Sequence, residues 1–281
     1  MYKILTKTYL NSSTVEMVVN APYAAKHAQP GQFVVLRVDE YGERIPLTIA
    51  DYSAKSGTIT IIFQIVGKTT AQLALLNQGD EILDFAGPLG AASELCGFKN
   101  AAVIGGGAGC AIAYPQAKAL FKMGADVDMI AGFRTSDLII LEDKMRANST
   151  NLTVMTDDGS NGNKGFVTAA LEQSINSGKQ YDVVIAIGPL PMMKAVAQLT
   201  KTYGIKTIVS MNPLMIDGTG MCGCCRVLVD GKMKFACVDG PDFDGHLVDF
   251  DDAMKRLASF KALEADAYES FKKTHECNLL K

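Results

Sequence analysis

The sequence has no tryptophan, three histidines and almost no net charge: 27 Lys and Arg against 30 Asp and Glu leave a formal −3. Without a basic surplus there is no electrostatic footprint for nucleic acid. A long apolar run is also missing. The longest stretch free of charged or strongly polar side chains, Ala101 to Tyr114, is glycine-rich and too short to span a bilayer, so no membrane association is expected. The opening residues, Met1-Tyr2-Lys3-Ile4-Leu5-Thr6-Lys7, carry no apolar segment leading to a small-residue cleavage site, and a cytoplasmic location is expected. The phosphate-loop pattern G-x-x-x-x-G-K-[ST] is absent, which excludes that class of NTPase. No catalytic histidine or carboxylate pair stands out, so no side-chain acid or base is assigned.

What is present suits a soluble globular chain. Its 281 residues, 48% hydrophobic and 20% charged, are enough for two domains or three small ones. The first hundred residues read as β structure. Thr14–Val19, Phe33–Val38 and Thr58–Phe63 are β-branched runs bounded by turn formers such as Gln29-Pro30-Gly31-Gln32 and Asn77-Gln78-Gly79-Asp80, the spacing of an antiparallel barrel or sandwich. A short helix is expected at Leu73–Leu76. From residue 99 the pattern alternates. Strands are expected at Ala101–Ile104, Val127–Ala131, Leu152–Met155, Val183–Ile187 and Thr207–Ser210. Helices are expected after the glycine run, over Leu138–Arg146 and over Val167–Asn176. That is the signature of βαβ units on a parallel sheet. The segment from 211 to about 250 is rich in Gly and Cys, and Asp251–Lys273 reads as one helix. Its stripe of Met254, Leu257, Phe260, Leu263, Tyr268 and Phe271 is a docking face or part of the core. The expected division is 1–98, 99–210 and 211–281.

The seven cysteines are too unevenly placed for a disulfide framework. Cys96, Cys110 and Cys277 are isolated and suit small core positions. Cys222, Cys224, Cys225 and Cys237 crowd together. With Asp217 they give D-x4-C-x2-C-x11-C, the plant-type ferredoxin spacing with an aspartate in the first position. Glycines at 218, 220 and 223 let the loop wrap closely around a metal. Asp217, Cys222, Cys225 and Cys237 are therefore candidate ligands of a [2Fe–2S] cluster, with Cys224 pointing away. Structural zinc is the competing reading of the same residues.

Two further segments bear on ligands. Gly105-Gly106-Gly107-Ala108-Gly109 lies at a strand-to-helix junction, where glycines admit a pyrophosphate to the helix amides or only pack strand against helix. Gly188-Pro189 ends a later strand at the same sheet edge, the side on which such sheets bind ligands. In the β region, Arg44-Ile45-Pro46-Leu47-Thr48 precedes Gln64-Ile65-Val66-Gly67-Lys68-Thr69-Thr70. By themselves these are a strand bearing a hydroxyl and a loop able to hold phosphate.

Taken together, the three features resemble the ferredoxin–NADP⁺ reductase-like flavoproteins, over essentially the whole chain. Within them the chain looks like the electron-transfer subunits of class 1B dihydroorotate dehydrogenase and of the bifurcating and sulfide dehydrogenase branch. The runs R-I-P-L-T-I-A-D, D-G-T-G-M-C-G-C-C and A-C-V-D-G-P-D-F-D-G, with Asp217 in place of a cysteine, draw it toward that branch. The resemblance implies an antiparallel FAD-binding barrel, a parallel-sheet NAD(P)-binding α/β domain and a small C-terminal [2Fe–2S] domain. It places FAD at Pro46, Leu47, Thr48, Ile62, Phe63, Gln64, Gly67, Lys68, Thr69 and Thr70. It places NAD(H), with NADP(H) as the alternative, at Gly105, Gly106, Gly107, Ala108, Gly109, Gly188 and Pro189, and Arg134 suits a 2′-phosphate. Ile187 stands where the family often has a cysteine near the nicotinamide. The implied activity is hydride exchange between NAD(H) and FAD, with single electrons passing through the cluster to a larger FAD and [4Fe–4S] flavoprotein partner, and ferredoxin reacting indirectly. A dihydroorotate dehydrogenase electron-transfer subunit is the alternative. A zinc-stabilised nucleotide-binding protein without turnover is the alternative of another class.

Overall fold

The computed structural model describes residues 1–279, with side chains through Lys273. Cys277 lies outside the described side chains. Seven antiparallel strands form the first unit: β1 (Tyr2–Tyr9), β2 (Thr14–Asn20), β3 (Phe33–Arg37), β4 (Ile45–Ser53), β5 (Thr58–Gln64), β6 (Glu81–Ile82) and β7 (Asp84–Leu89). Helix α1 (Pro22–His27) follows β2, and α2 (Lys68–Leu75) follows β5. The order β6-β1-β2-β5-β4-β3-β7 leaves as its two edges strands separated in the chain only by Leu83, so the sheet curls into a nearly closed barrel. Alternation fills it. Val15, Met17 and Val19 from β2 meet Ile59, Ile61 and Phe63 from β5 in one buried cluster.

The second unit opens with β8 (Asn100–Gly106), α3 (Gly109–Lys122), β9 (Asp126–Phe133), α4 (Glu142–Arg146) and β10 (Asn151–Thr156). It continues with α5 (Val167–Asn176), β11 (Val183–Ile187), α6 (Leu190–Thr202) and β12 (Thr207–Ser210). The strands are parallel in the order β10-β9-β8-β11-β12, with helices on both faces. On β8, Ala101 and Val103 belong to the cluster under α3, while Ala102 and Ile104 belong to the one under α5 and α6. The expected helix over Leu138–Arg146 is broken. A 3-10 turn spans Ser136–Leu138, Leu141 takes a left-handed φ of 57°, and α4 holds only the last part. Leu138 and Ile140 instead wall the large cleft described below, and that packing outweighs local helix preference.

The third segment holds a hairpin, β13 (Arg226–Val229) with β14 (Lys232–Phe235), then β15 (Asp242–Asp244), α7 (Phe250–Ala258) and α8 (Lys261–Leu279). It does not stand apart. β15 pairs antiparallel with β12 and completes the parallel sheet as its edge. The single helix expected over Asp251–Lys273 is two. Asp249 caps α7 by accepting the Asp252 N–H at 3.0 Å. At the other end the Ser259 N–H bonds to the Arg256 carbonyl and its hydroxyl to the Lys255 carbonyl, a tightened last turn that stops the helix. Of the stripe, Met254 packs on the sheet core, whereas Leu257, Phe260 and Leu263 are exposed.

Several side-chain contacts join the units. Lys118 on α3 reaches Asp51 on β4 at 2.7 Å. Asp242 on β15 accepts hydrogen bonds from the Ser93 hydroxyl at 2.6 Å and the Gln116 amide at 3.2 Å. Burial pushes the Asp242 carboxyl above the ordinary carboxylate range despite these bonds and one from Ser210. A carboxyl raised in the folded state lends stability that is complete below its unfolded value. That stability is lost as pH rises through the raised one. We therefore expect melting temperature to fall across that window in the native chain, and the fall to be smaller in Asp242→Asn.

Candidate functional site

A single cleft of about 1630 Å³ runs along the junction of all three segments. That exceeds the roughly 300–1,000 Å³ of one small-molecule pocket and suits two dinucleotides lying together. Its barrel wall is Ile45, Pro46, Leu47 and Thr48 of β4 with Ile62, Phe63 and Gln64 of β5 and Thr70 of α2. Its sheet wall is Gly106 to Gly109, Gly132 to Arg134, and Ile187 to Met192. Its third wall is Ser210 to Ile216 with Cys222, Gly223, Cys224 and Arg226. Most sequence-predicted nucleotide residues thus share one cavity.

Some do not. Arg44 is exposed, and the cleft wall begins at Ile45. Lys68 and Thr69 turn to Glu43 instead, at 3.5 and 2.8 Å, and Gly67 serves the helix start through its N–H to the Thr70 hydroxyl at 3.0 Å. Gly105 is buried behind the wall. A Cβ there would lie 2.7 Å from Cys110 Sγ, so this glycine answers to strand-on-helix packing. Sequence reasoning missed Asp157, Phe166, Met192, Arg256 and the run Met211 to Ile216, all of which line the cleft. Asp157 was findable, because it directly follows β10 beside the end of β9, on the ligand side of such sheets. The 211–216 run carries no periodicity that would place it.

The cysteine loop is built by conformation. Gly218, Gly220 and Gly223 have φ of 79°, 86° and 66°, a region that β-carbons disfavour. The Cys225 and Cys237 Sγ atoms lie 3.2 Å apart, both buried, and the Cys237 N–H approaches Cys225 Sγ at 3.5 Å. Asp217 folds the loop around itself, accepting the Thr219 N–H at 2.8 Å and the Cys222 N–H at 2.9 Å. Those amides hold its carboxyl below the usual carboxylate range. The Cys222 thiol is lowered by backbone N–H donors, whereas burial and the neighbouring Cys225 push Cys237 up to about 12. Among the described residues no three His, Cys, Asp or Glu side chains converge tightly enough to hold a metal ion. The geometry joins Cys225 to Cys237, while Asp217 meets Cys222 through its backbone. The donor set still fits a cluster: three thiols and a carboxylate on one glycine-wrapped loop and hairpin, with an amide aimed at sulfur. Cys224 also reaches the cleft, its Sγ lying 4.0 Å from the Cys222 carbonyl.

Residues 212–249 match the iron–sulfur cluster binding domain of dihydroorotate dehydrogenase B. Residues 103–198 match the oxidoreductase NAD-binding domain. A Thermotoga maritima protein described as a dihydroorotate dehydrogenase B (NAD⁺) electron transfer subunit homologue is 45% identical over 97% of this chain and 96% of its own. The chain belongs to the dihydroorotate dehydrogenase B electron transfer subunit family. The Geobacillus thermodenitrificans electron transfer subunit is 33% identical, covering 85% of this chain and 94% of that one. A solved structure of the NADH-dependent reduced ferredoxin–NADP oxidoreductase superposes with a TM-score of 0.92 at 43% identity, over 96% of this chain and 98% of that one. The ferredoxin reductase of carbazole 1,9a-dioxygenase, at 18% identity and TM-score 0.62 over 73% and 65% of the two chains, shares the fold. Members of the electron transfer subunit family are oxidoreductase subunits, and this one pairs an FAD-binding barrel and an NAD(H)-binding sheet with a [2Fe–2S] domain. Those domains contain the ferredoxin-like cysteines, and zinc stabilisation is set aside. No described helix is long and apolar enough to cross a membrane.

Proposed function

We propose that this chain is the NADH-oxidising electron-transfer subunit of a flavin-based bifurcating complex, the type represented by the NADH-dependent reduced ferredoxin–NADP oxidoreductase. When bound, the flavin supplies hydride acceptance and one-electron release, and the cluster carries the electrons onward. The observation that carries the reading is one continuous cleft touching Thr48, Gly107, Gly188 and Cys222. Thr48, Gln64 and Thr70 orient the flavin, with Pro46, Leu47, Ile62 and Phe63 covering its apolar surface. Gly106 to Gly109 and Gly188-Pro189 seat the nicotinamide dinucleotide, and Asp217, Cys222, Cys225 and Cys237 hold the cluster.

The units work as 1–98, 99–210 and 211–281, in the cytoplasm, beside a larger flavoprotein subunit with FAD and [4Fe–4S] groups. Exposed Met221, Met233 and Val238, near the cysteine loop in sequence, form its docking face. The dihydroorotate dehydrogenase alternative draws on the Geobacillus relative, which is less similar than the bifurcating reductase. Anaerobically purified protein should show flavin bands with a cluster shoulder, and NADH should bleach both. Flavin bands without iron or acid-labile sulfide would refute the assignment.

NADH is selected at the ends of β9 and β10. Arg134 and Asp157 both line the cleft there. The Ser160 hydroxyl is engaged, donating to Asp158 at 2.7 Å and accepting the Ser136 N–H at 2.7 Å. Asp157 is left to accept a ribose 2′-hydroxyl and to repel a 2′-phosphate. Two such charges about 8 Å apart cost roughly 2 kcal/mol at an effective dielectric near 20. Asp157→Asn should therefore raise kcat/KM for NADPH relative to NADH at least about tenfold, measured with an artificial acceptor. An unchanged ratio would remove Asp157 from cofactor choice.

A further inference from the structure

Asp242 is a buried carboxyl that neither hydride nor electron transfer uses. Its Oδ2 takes the bonds from Ser93 and Gln116, and Ser210 stands directly opposite Asp242 on the neighbouring strand β12. Its Oδ1 and the Oε1 of Gln116 are both buried without a partner. A carboxylic acid and a primary amide pair through two hydrogen bonds. One of them, N–H to Oδ2, is already made at 3.2 Å. A proton on Oδ1 would supply a donor where the buried Oδ1 and Oε1 both lack a partner. Two buried acceptors with no donor between them are the seat of one proton.

The seat has a way in and a way out. Ser210 lines the cleft. Ser93, half-buried, lies in the linker between β7 and β8, one residue before exposed Glu94. The order cleft, Ser210, Asp242, Ser93 leads from the redox site to the surface across the joint of barrel, sheet and cysteine segment. The chemistry requires such a route. A hydride taken from NADH and delivered to a one-electron carrier divides as H⁻ → H⁺ + 2e⁻, and a cluster accepts only the electrons. One proton per turnover is left in the cleft.

We propose that Asp242 is the relay for that proton, receiving it through Ser210 and releasing it through Ser93. Burial raises the carboxyl and its polar neighbours lower it, with no charged side chain among the causes. The charged groups nearest along its own strand and the facing linker, Asp244 and Glu94, are exposed. The relay rests on the hydride reading above, and acts through Ser210 rather than by touching nucleotide or flavin.

The test uses full-length holoprotein: wild type, Asp242→Asn and Ser210→Ala. Each is reduced with NADH and reoxidised by ferricyanide in a stopped-flow instrument, across pH 5.5–9, in H₂O and D₂O. Redox-difference infrared spectra are recorded alongside. NADH reduction should stay unchanged in Asp242→Asn. Reoxidation should slow roughly 10- to 100-fold in both and lose its pH dependence and solvent isotope effect. The carboxylic C=O band that shifts in D₂O should vanish in Asp242→Asn and persist in Ser210→Ala. Wild-type pH profiles and isotope effects in both variants would overturn the relay. If Asp242→Asn does not fold, an unaltered Ser210→Ala overturns it alone. Wild-type flavin that NADH cannot reduce would overturn the hydride reading, and the relay with it.

Discussion

Cys225→Ser is expected to abolish iron–sulfur absorption in the purified protein while the flavin bands remain. Cys225 and Cys237 are 1% and 3% exposed, with their sulfurs in contact. Burial and the neighbouring Cys225 push the bare Cys237 thiol up to about 12. A metal reverses this by displacing protons. Losing one thiolate from three leaves a donor set too hard to retain iron. Both cysteines also belong to a small core with Phe33 and Val35 of the barrel and Met215 of the cleft wall, so the change reaches the cleft wall as well. NADH should still bleach the flavin, but reduction of a one-electron acceptor such as cytochrome c should fall by about two orders of magnitude, the scale of removing an essential ligand or its support. Cys224→Ser supplies the contrast: its thiol faces the cleft beside the loop, and iron content should stay at the wild-type level. Retention of full iron in Cys225→Ser, measured together with acid-labile sulfide, would strike Cys225 from the ligand set.

The barrel and sheet were legible because strands are rich in β-branched and apolar residues between turn formers. Thr58–Phe63 is a β-branched run and Val183–Ile187 a continuous apolar run buried on both faces, and they appear as Thr58–Gln64 and Val183–Ile187. The glycine run was legible as a junction, yet its glycines divide between two roles. Gly106 to Gly109 line the cleft, whereas Gly105 makes room for Cys110. Less could be read where structure is set by distant partners. The α6 helix went unforeseen although its buried positions Met193, Val196 and Ala197 have helical spacing. β15 has only three residues and exists because β12 offers it an edge. The site followed the same rule. Motif-bearing residues could be named in advance. Asp157, Asp242 and the 211–216 run acquire their places only when separate segments meet, as when Ser93 reaches a carboxyl 149 positions away.

Gly109→Ala should damage NADH use far more than Gly106→Ala, though both lie in the same cleft wall. A Cβ on Gly109 would fall 2.5 Å from the Ile187 carbonyl oxygen and 2.8 Å from Gly188 Cα. These are backbone atoms, so no rotamer relieves the clash. Either the α3 N-terminus or the Ile187-Gly188-Pro189 turn has to shift. Both flank the place where a dinucleotide would lie against helix amides. At Gly106 the nearest obstacle is the Met192 sulfur at 2.4 Å, the far end of a flexible side chain that can move aside. Overpacking against fixed backbone costs about 1–3 kcal/mol, which for a chain of this size lowers Tm by roughly 3–10 °C. We expect Gly109→Ala to show that loss together with an increase in KM for NADH of about tenfold or more, a displacement of about 1 Å being enough to cost that much. Gly106→Ala should stay within about 2 °C of wild type. Flavin content should be unchanged in both, because the barrel wall from Ile45 to Thr48 stands on separate strands. Loss of flavin from Gly109→Ala, or equal KM values in the two variants, would mean that the turn after β11 does not seat the nucleotide.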